Sequence, residues 1–408
     1  MQPRPRVVSA RAHPRLTTGL TWLLALTAGV TVANIYYNQS LLPDMARAFQ
    51  VTDAVVGYVP MLTQLGYAAG LLLIVPLADS MDRRRLILLS TLGAALMMVA
   101  IALAPTLWIA TCASFLLGLI GLSPILVVAF GATLAEPERR GRTVGLIMGG
   151  LLVGVLFSRT AAGFIGALLG WRDVFWIGAG LSLLNTVALL KLPHSPQPAE
   201  SIPYFELLKS LAGLIRREAA LRRHALIGAL GFGAFSAFWT TLAFYLADRP
   251  EHYGGRMVGL FGFVAMAGAA AAPISGRLSD RHSAQWVNGT FLALMAVSFL
   301  MMGLAGYSLL WLVAAVFLMD AGTQGSHISN QTRIMGMNVE LRGRITSVYM
   351  VSYFLGGALG SAVGSHAWAR WHWPGVWISG AVMAGLGLVT LFAENLRAAL
   401  PVPARSTG

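Results

Sequence analysis

Apolar runs of about twenty residues, separated by short polar breaks, recur along almost the whole chain. They are too long for strands, and their length suits an α-helix crossing the hydrocarbon core of a bilayer, which takes roughly 20 residues. Twelve such runs are read, over 18–42, 55–77, 85–105, 108–131, 143–168, 173–192, 225–247, 256–275, 285–305, 308–331, 345–367 and 375–394. The predicted class is an all-α integral membrane protein with twelve transmembrane helices. The longest polar stretch, 193–224, opens with the proline-rich PHSPQPAES and continues as the amphipathic SLAGLIRREAALRR. A linker followed by a helix lying along a membrane surface is expected there. This central loop divides a bundle at 18–192 from one at 225–394, and 1–17 and 395–408 remain as tails.

Composition sharpens the class. The 408 residues are 56% hydrophobic and only 11% charged, against about 25% charged in soluble domains. A net charge of +13 would in a soluble protein suggest nucleic acid. Its distribution argues otherwise: with a cytoplasmic N-terminus, 23 of the 29 lysines and arginines fall in cytoplasmic segments. That bias is the positive-inside rule, so both termini are expected in the cytoplasm and nucleic acid is excluded as a partner. The first sixteen residues are Arg-rich without an acid, and the apolar run behind them is too long for a signal peptide, so they read as a retained tail. The single cysteine, Cys112, rules out an internal disulfide and a cysteine metal cluster. No P-loop, nucleophile elbow or HExxH occurs, so no enzyme activity, ATP hydrolysis, metal or cofactor is expected, and energy has to come from an ion or solute gradient.

The two bundles repeat. PLADSMDRRRL after the second run is echoed by GRLSDRHSAQW after the eighth, placing Asp79 and Asp280 201 residues apart; Gly141–Arg142 and Gly343–Arg344 match at 202. Parallel six-helix repeats about an axis along the membrane normal enclose a midplane cavity in a recurring transporter plan. On these residues the sequence resembles the major facilitator superfamily over essentially its whole length. The family's G-x-L-A-D-R-x-G-R-R loop is matched at Leu77, Ala78, Asp79, Arg83 and Arg84 and departed from at Val75, Ser80 and Asp82, and the second copy keeps Gly276, Leu278, Asp280 and Arg281. The resemblance implies two six-helix halves related by a pseudo-two-fold axis, and a cytoplasmic gate formed by Asp79, Arg83, Arg84, Asp280 and Arg281. It further implies a monomer in the bacterial cytoplasmic membrane, taking lipid and a small-molecule substrate as partners and similar to drug-efflux members. The glycines 145, 149, 150, 154, 163 and 166 resemble the family's antiporter motif without its proline.

One cation stands inside a run. Arg159, in GVLFSRTAAGFIG, costs at least ~2.5–3.5 kcal/mol in a bilayer unless compensated. Asp320 is the one acid well inside a run; it lies twelve residues from Ser308, and Arg159 lies fourteen from Gly145. At about 1.5 Å per residue both reach the midplane, one in each bundle, and a charge pair across the cavity is expected. Asp320, Gln324, His327 and Gln331 share one helical face. The family's cavity-lining helices add Asn34, Tyr37 and Asn38, with Gln64 on the second run. Trp239 and Tyr353 are aromatic candidates, behind which stand Phe238, Tyr245 and Tyr349. The expected function is proton-coupled efflux of a small organic solute by alternating access, with Asp320 carrying the proton as Arg159 approaches and withdraws. The alternative is symport or uniport of an anionic metabolite held by Arg159.

Overall fold

The computed structural model describes residues 16–79, 81–194, 204–269, 272–304, 308–338 and 341–399, almost entirely as helix, with no strand among them. In chain order the helices are α1 (Thr18–Tyr36), α2 (Leu42–Phe49), α3 (Asp53–Val56), α4 (Tyr58–Leu73), α5 (Arg83–Leu103), α6 (Leu107–Ile120), α7 (Ser123–Leu134) and α8 (Arg140–Leu169). They continue as α9 (Trp171–Leu189), α10 (Tyr204–Arg217), α11 (Ala219–Asp248), α12 (Gly255–Ala269), α13 (Ala272–Arg281), α14 (Ala284–Met302), α15 (Leu309–Met337) and α16 (Arg342–Ala399). Ten stretches among the described residues are long and apolar enough to span a membrane. Backbone groups inside a bilayer have no water to bond, and helices satisfy them internally.

The local chemistry that starts each helix is visible in its caps. The side chains of Thr17, Asp82, Thr106, Ser283 and Ser308 each accept a backbone N–H in the first turn that follows, occupying donors that the helix itself leaves free. Gly170, at φ 110°, joins α8 to α9 in a conformation that a side chain would strain. Arg172, at the start of α9, donates from Nε and Nη2 to the carbonyls of Ala102 and Ala104, 3.1 and 3.0 Å away, and so caps the end of α5.

Helix bounds differ from the apolar runs at three places. The runs at 345–367 and 375–394 meet within α16 at a sharp break at His372 (φ 51°, ψ −145°), two residues before Pro374. Proline removes a backbone donor and disfavours helix in its predecessor, so the break needs no extra residues. Within the central stretch 193–224, α10 covers Tyr204–Arg217, and α11 begins at Ala219 and takes Arg222 and Arg223 into its first turns. Helix also continues past 394, to Ala399.

The helices pack in recurring pairs. α1 lies along α8 and α11 along α16; α4 packs on α6 and α12 on α15; α5 packs on α9 and α14 on α16. The helices before the central segment meet those after it chiefly through α8 against α12 and α4 against α16. Glycines permit the closest approaches. A Cβ added at Gly154 would stand 2.6 Å from the Cα of Gly29, and one at Gly163 would stand 2.8 Å from the backbone N of Gly259. Small residues at such crossings are how membrane helices gain contact without a hydrophobic driving force. Gly145 and Gly149, on the same helix, face open space.

These two kinds of glycine separate experimentally. Gly154→Ala is expected to lower the thermal midpoint in detergent, at a cost of about 1–3 kcal/mol from forced separation of α1 and α8. Gly149→Ala should be neutral or slightly stabilising, since only helix propensity changes.

Candidate substrate and coupling site

Arg159 and Asp320 are both fully buried, at 0% exposure, and each lies within the other's electrostatic reach. The direct pair expected from sequence is not formed, as no nitrogen of Arg159 comes within 4.0 Å of an Asp320 oxygen. Arg159 is held elsewhere. Its Nε donates to Gln39 Oε1 at 3.0 Å and its Nη1 to the Val155 carbonyl at 3.3 Å, while Ser40 donates to its backbone carbonyl at 3.2 Å. The guanidinium carbon sits 4.3 Å from the Trp239 ring centroid, 5.0 Å from Tyr36 and 5.3 Å from Phe235. Cation–π contacts of this kind gain strength where water is excluded. Nη2 of Arg159, both carboxylate oxygens of Asp320 and Nε1 of Trp239 are buried without a hydrogen-bond partner among the described residues.

The end of α1 explains how Arg159 is reached. Tyr37–Ser40 form a 3₁₀ turn, in which side chains at i and i+3 eclipse. Gln39 in this turn and Tyr36 just before it both reach Arg159, whereas the amides of Asn34 and Asn38 bond elsewhere. Asn34 donates to Ser182 of α9 at 2.9 Å and Asn38 to Thr63 of α4 at 3.0 Å. Tyr37 packs by Gly178 and lines an apolar groove of about 680 Å³ between α1, α8 and α9. That groove is walled by exposed Trp22, Leu26, Val153 and Phe157, as a lipid-facing surface would be. Asn34 and Tyr37 thus touch other N-terminal helices, and Gln39, Tyr36 and Phe235 are contacts of Arg159 that the sequence pattern did not single out. A signal for Gln39 exists only in retrospect: it adjoins a polar NQS run at the point where α geometry tightens.

Gln64 does join the two parts of the chain. Its Nε2 donates to Ser361 of α16 at 3.0 Å and its Oε1 accepts from Ser236 of α11 at 3.2 Å, and Thr240 donates to Ser361 at 3.0 Å. Farther toward the same end, Trp368 Nε1 donates to Asp53 Oδ2 at 2.9 Å and Tyr58 lies 6.0 Å from His366. Gly163 against Gly255 and Gly259 closes the α8–α12 seam. These crossings share the end of the bundle opposite the arginine clusters.

The polar face of α15 divides. Asp320 faces Gly268 of α12, Gln324 is half-buried, and His327 pairs with Tyr349 Oη through Nδ1 and with Gln331 through Nε2, each at 3.1 Å. The His327 ring also lies 4.5 Å from Tyr353, which stacks on Phe232 at 4.1 Å. His327 and Tyr349 therefore belong to a network within the C-terminal helices. Trp239 lies at the meeting of the parts, against Arg159. Phe238 and Tyr245 pack on Trp373, at 6.2 and 3.9 Å, away from Arg159.

At the arginine-rich end, Arg83 donates to the Ala78 carbonyl and to Thr133 at 3.2 and 2.7 Å, and Arg84 donates to the Leu190 carbonyl at 2.6 Å beside His194. His194 in turn contacts Asp82 at 2.7 Å. All of these named partners precede α10, and Arg281 is exposed. The side chains of Asp79 and Asp280, the two acids of the expected gate, lie outside the described residues.

The sequence pattern of the Major Facilitator Superfamily matches residues 24–361 and 251–407. The chain is 38% identical over 379 residues to the uncharacterised transporter YgaY of Escherichia coli K12, covering 93% of this chain and 96% of that one. It is 36% identical over 371 residues to SCO4007 of Streptomyces coelicolor, named a probable transporter, covering 90% and 84%. Among solved structures, a D-xylose–proton symporter superposes with a TM-score of 0.74 at 15% identity, over 91% of this chain and 96% of that one, a likeness of fold. The chain belongs to the major facilitator superfamily. It is a multi-pass membrane transporter and not an enzyme.

The Gln39–Arg159 bond gives a direct stability test. Gln39→Leu leaves Nε of a buried cation unpaired and is expected to cost about 1.5–3 kcal/mol, read as a fall in the detergent melting temperature. Asn34→Ala, which removes one neutral bond within the N-terminal bundle, should cost about 1 kcal/mol.

Proposed function

We propose that the chain is a secondary active transporter that moves a small organic solute across the bacterial cytoplasmic membrane by alternating access, coupled to protons and working as an exporter. The observation that carries this reading is Asp320: a fully buried carboxyl whose two oxygens have no donor, in the field of a fully buried arginine from the other part of the chain. A buried charge without a partner costs several kcal/mol, and a proton or a cationic group arriving at Asp320 removes that cost. Arg159 now lies between Gln39 and three aromatic rings, and turning toward Asp320 would break these contacts, so the charge state of Asp320 and the packing of the two parts would be linked.

The twelve-helix, two-half plan fits this reading. Ten apolar stretches, the break in α16 and the 19-residue α9 add up to twelve crossings, and the recurring pairs fit parallel repeats. With the arginine-rich end in the cytoplasm, the Gln64–Ser361 and Asp53–Trp368 contacts seal the outer face, the arrangement of an inward-facing state. A cytoplasmic gate of Asp79, Arg83, Arg84, Asp280 and Arg281 would form when the halves rock the other way. The chain would work as a monomer. A second reading, symport or uniport of an anionic metabolite, is favoured by the bare Nη2 of Arg159, which suits a carboxylate or phosphate.

Purified protein in proteoliposomes with an imposed pH gradient tests the proposal. Wild type is expected to move solute against its gradient, and Asp320→Asn to lose gradient-driven accumulation while keeping exchange down a solute gradient. Full accumulation by Asp320→Asn overturns the proton role. The polarity of the driving gradient separates antiport from symport.

A further inference from the structure

Four buried polar atoms lack partners where the two parts meet: Nη2 of Arg159, Nε1 of Trp239 and the two oxygens of Asp320. Their chemistry is bipolar. Arg159 and Trp239 offer donors from α8 and α11, with the guanidinium carbon 4.3 Å from the indole ring. Asp320 offers acceptors from α15. Arg159 and Asp320 feel each other's charge yet stay farther than 4.0 Å apart, which leaves each free for a third group. Tyr36 and Phe235 flank the guanidinium with apolar rings.

We infer that the cargo of this transporter is a zwitterion with an apolar or aromatic body, its carboxylate taken by Arg159 Nη2 and Trp239 Nε1 and its ammonium by Asp320. The inference rests on the transport reading and names its substrate class. An anion alone satisfies the two donors and leaves Asp320 bare; an amine alone does the reverse. Leaving a buried polar partner unmatched is what makes such sites discriminate, by more than a lost methylene does. Trp239 therefore has two roles, a π face toward the bound cation and an N–H toward the ligand.

The test uses three probes that share one body: L-phenylalanine, 3-phenylpropanoate and 2-phenylethylamine. Each is titrated into the full-length protein in detergent, with binding read by calorimetry or by the shift in thermal midpoint. Phenylalanine is expected to bind at least about tenfold more tightly than either singly charged analogue, as a charged hydrogen bond is worth. Trp239→Phe keeps a ring and removes the donor. It should weaken phenylalanine and phenylpropanoate about tenfold while leaving phenylethylamine unchanged. Asp320→Asn should abolish the advantage of phenylalanine over phenylpropanoate. Equal or absent binding of the three probes by wild type overturns the inference, as does an equal loss of all three in Trp239→Phe. If that variant does not fold, the wild-type ranking alone decides. Binding is read without a gradient, so a failure of proton coupling leaves this result standing, and a failure here leaves coupling intact.

Discussion

A permanent charge inside hydrocarbon has to be met by protein, and the structure around Arg159 is arranged to meet it. α1 tightens into a 3₁₀ turn that brings Gln39 to its Nε, and α11 lays Trp239 and Phe235 against its face. Glycines let α8 come close enough to both neighbours for these contacts to reach: Gly150 and Gly154 against α1, Gly163 against α12. What remains unmatched is one nitrogen of the cation and, from α15, the whole of the Asp320 carboxylate. A molecule that only needed to fold would gain by replacing such a pair with apolar side chains.

The leftover charges lie at the seam between two sets of helices, and the seam is held by few and weak bonds. Ser361 is shared by Gln64 and Thr240, and Asp53 accepts from a single indole. A hydrogen bond between neutral groups contributes only about 0.5–1.5 kcal/mol net, and one to a carboxylate such as Asp53 about 1.5–3 kcal/mol. Glycine-on-glycine contact along α8 and α12 adds smooth surfaces with little interlocking. Such a seam suits two states of similar energy, which a proton or ligand at Asp320 can bias.

Much of this was legible in the sequence. Length and continuity of apolar runs gave the helical membrane class, and polar residues such as Thr17 and Ser308 mark helix starts where they cap them. Arg159 and Asp320 stood out because a charge in an apolar run is expensive, and both are fully buried. That they stand apart without touching was not legible, since it depends on rotamers and on which way α1 turns. The amides of Asn34 and Asn38 turn to Ser182 and Thr63, and the 3₁₀ turn after α1, which an i, i+4 pattern does not foresee, carries Gln39 to Arg159. Ser236, Thr240 and Ser361 carry no signal at all, because serine and threonine often bond back to their own helix and only the fold reveals a partner across the seam. The break at His372 falls in the gap left between the runs ending at 367 and beginning at 375.

The central claim is that Arg159 and Asp320 compensate each other across the seam without touching. A double-mutant cycle measures this most directly, with Arg159→Gln, Asp320→Asn and the double variant compared with wild type by reversible unfolding in detergent or bicelles. The account predicts that the double variant is less destabilised than the sum of the single changes, with an interaction energy of about 0.5–3 kcal/mol. Additivity within about 0.3–0.5 kcal/mol would contradict it, leaving the two charges as independent features of one fold.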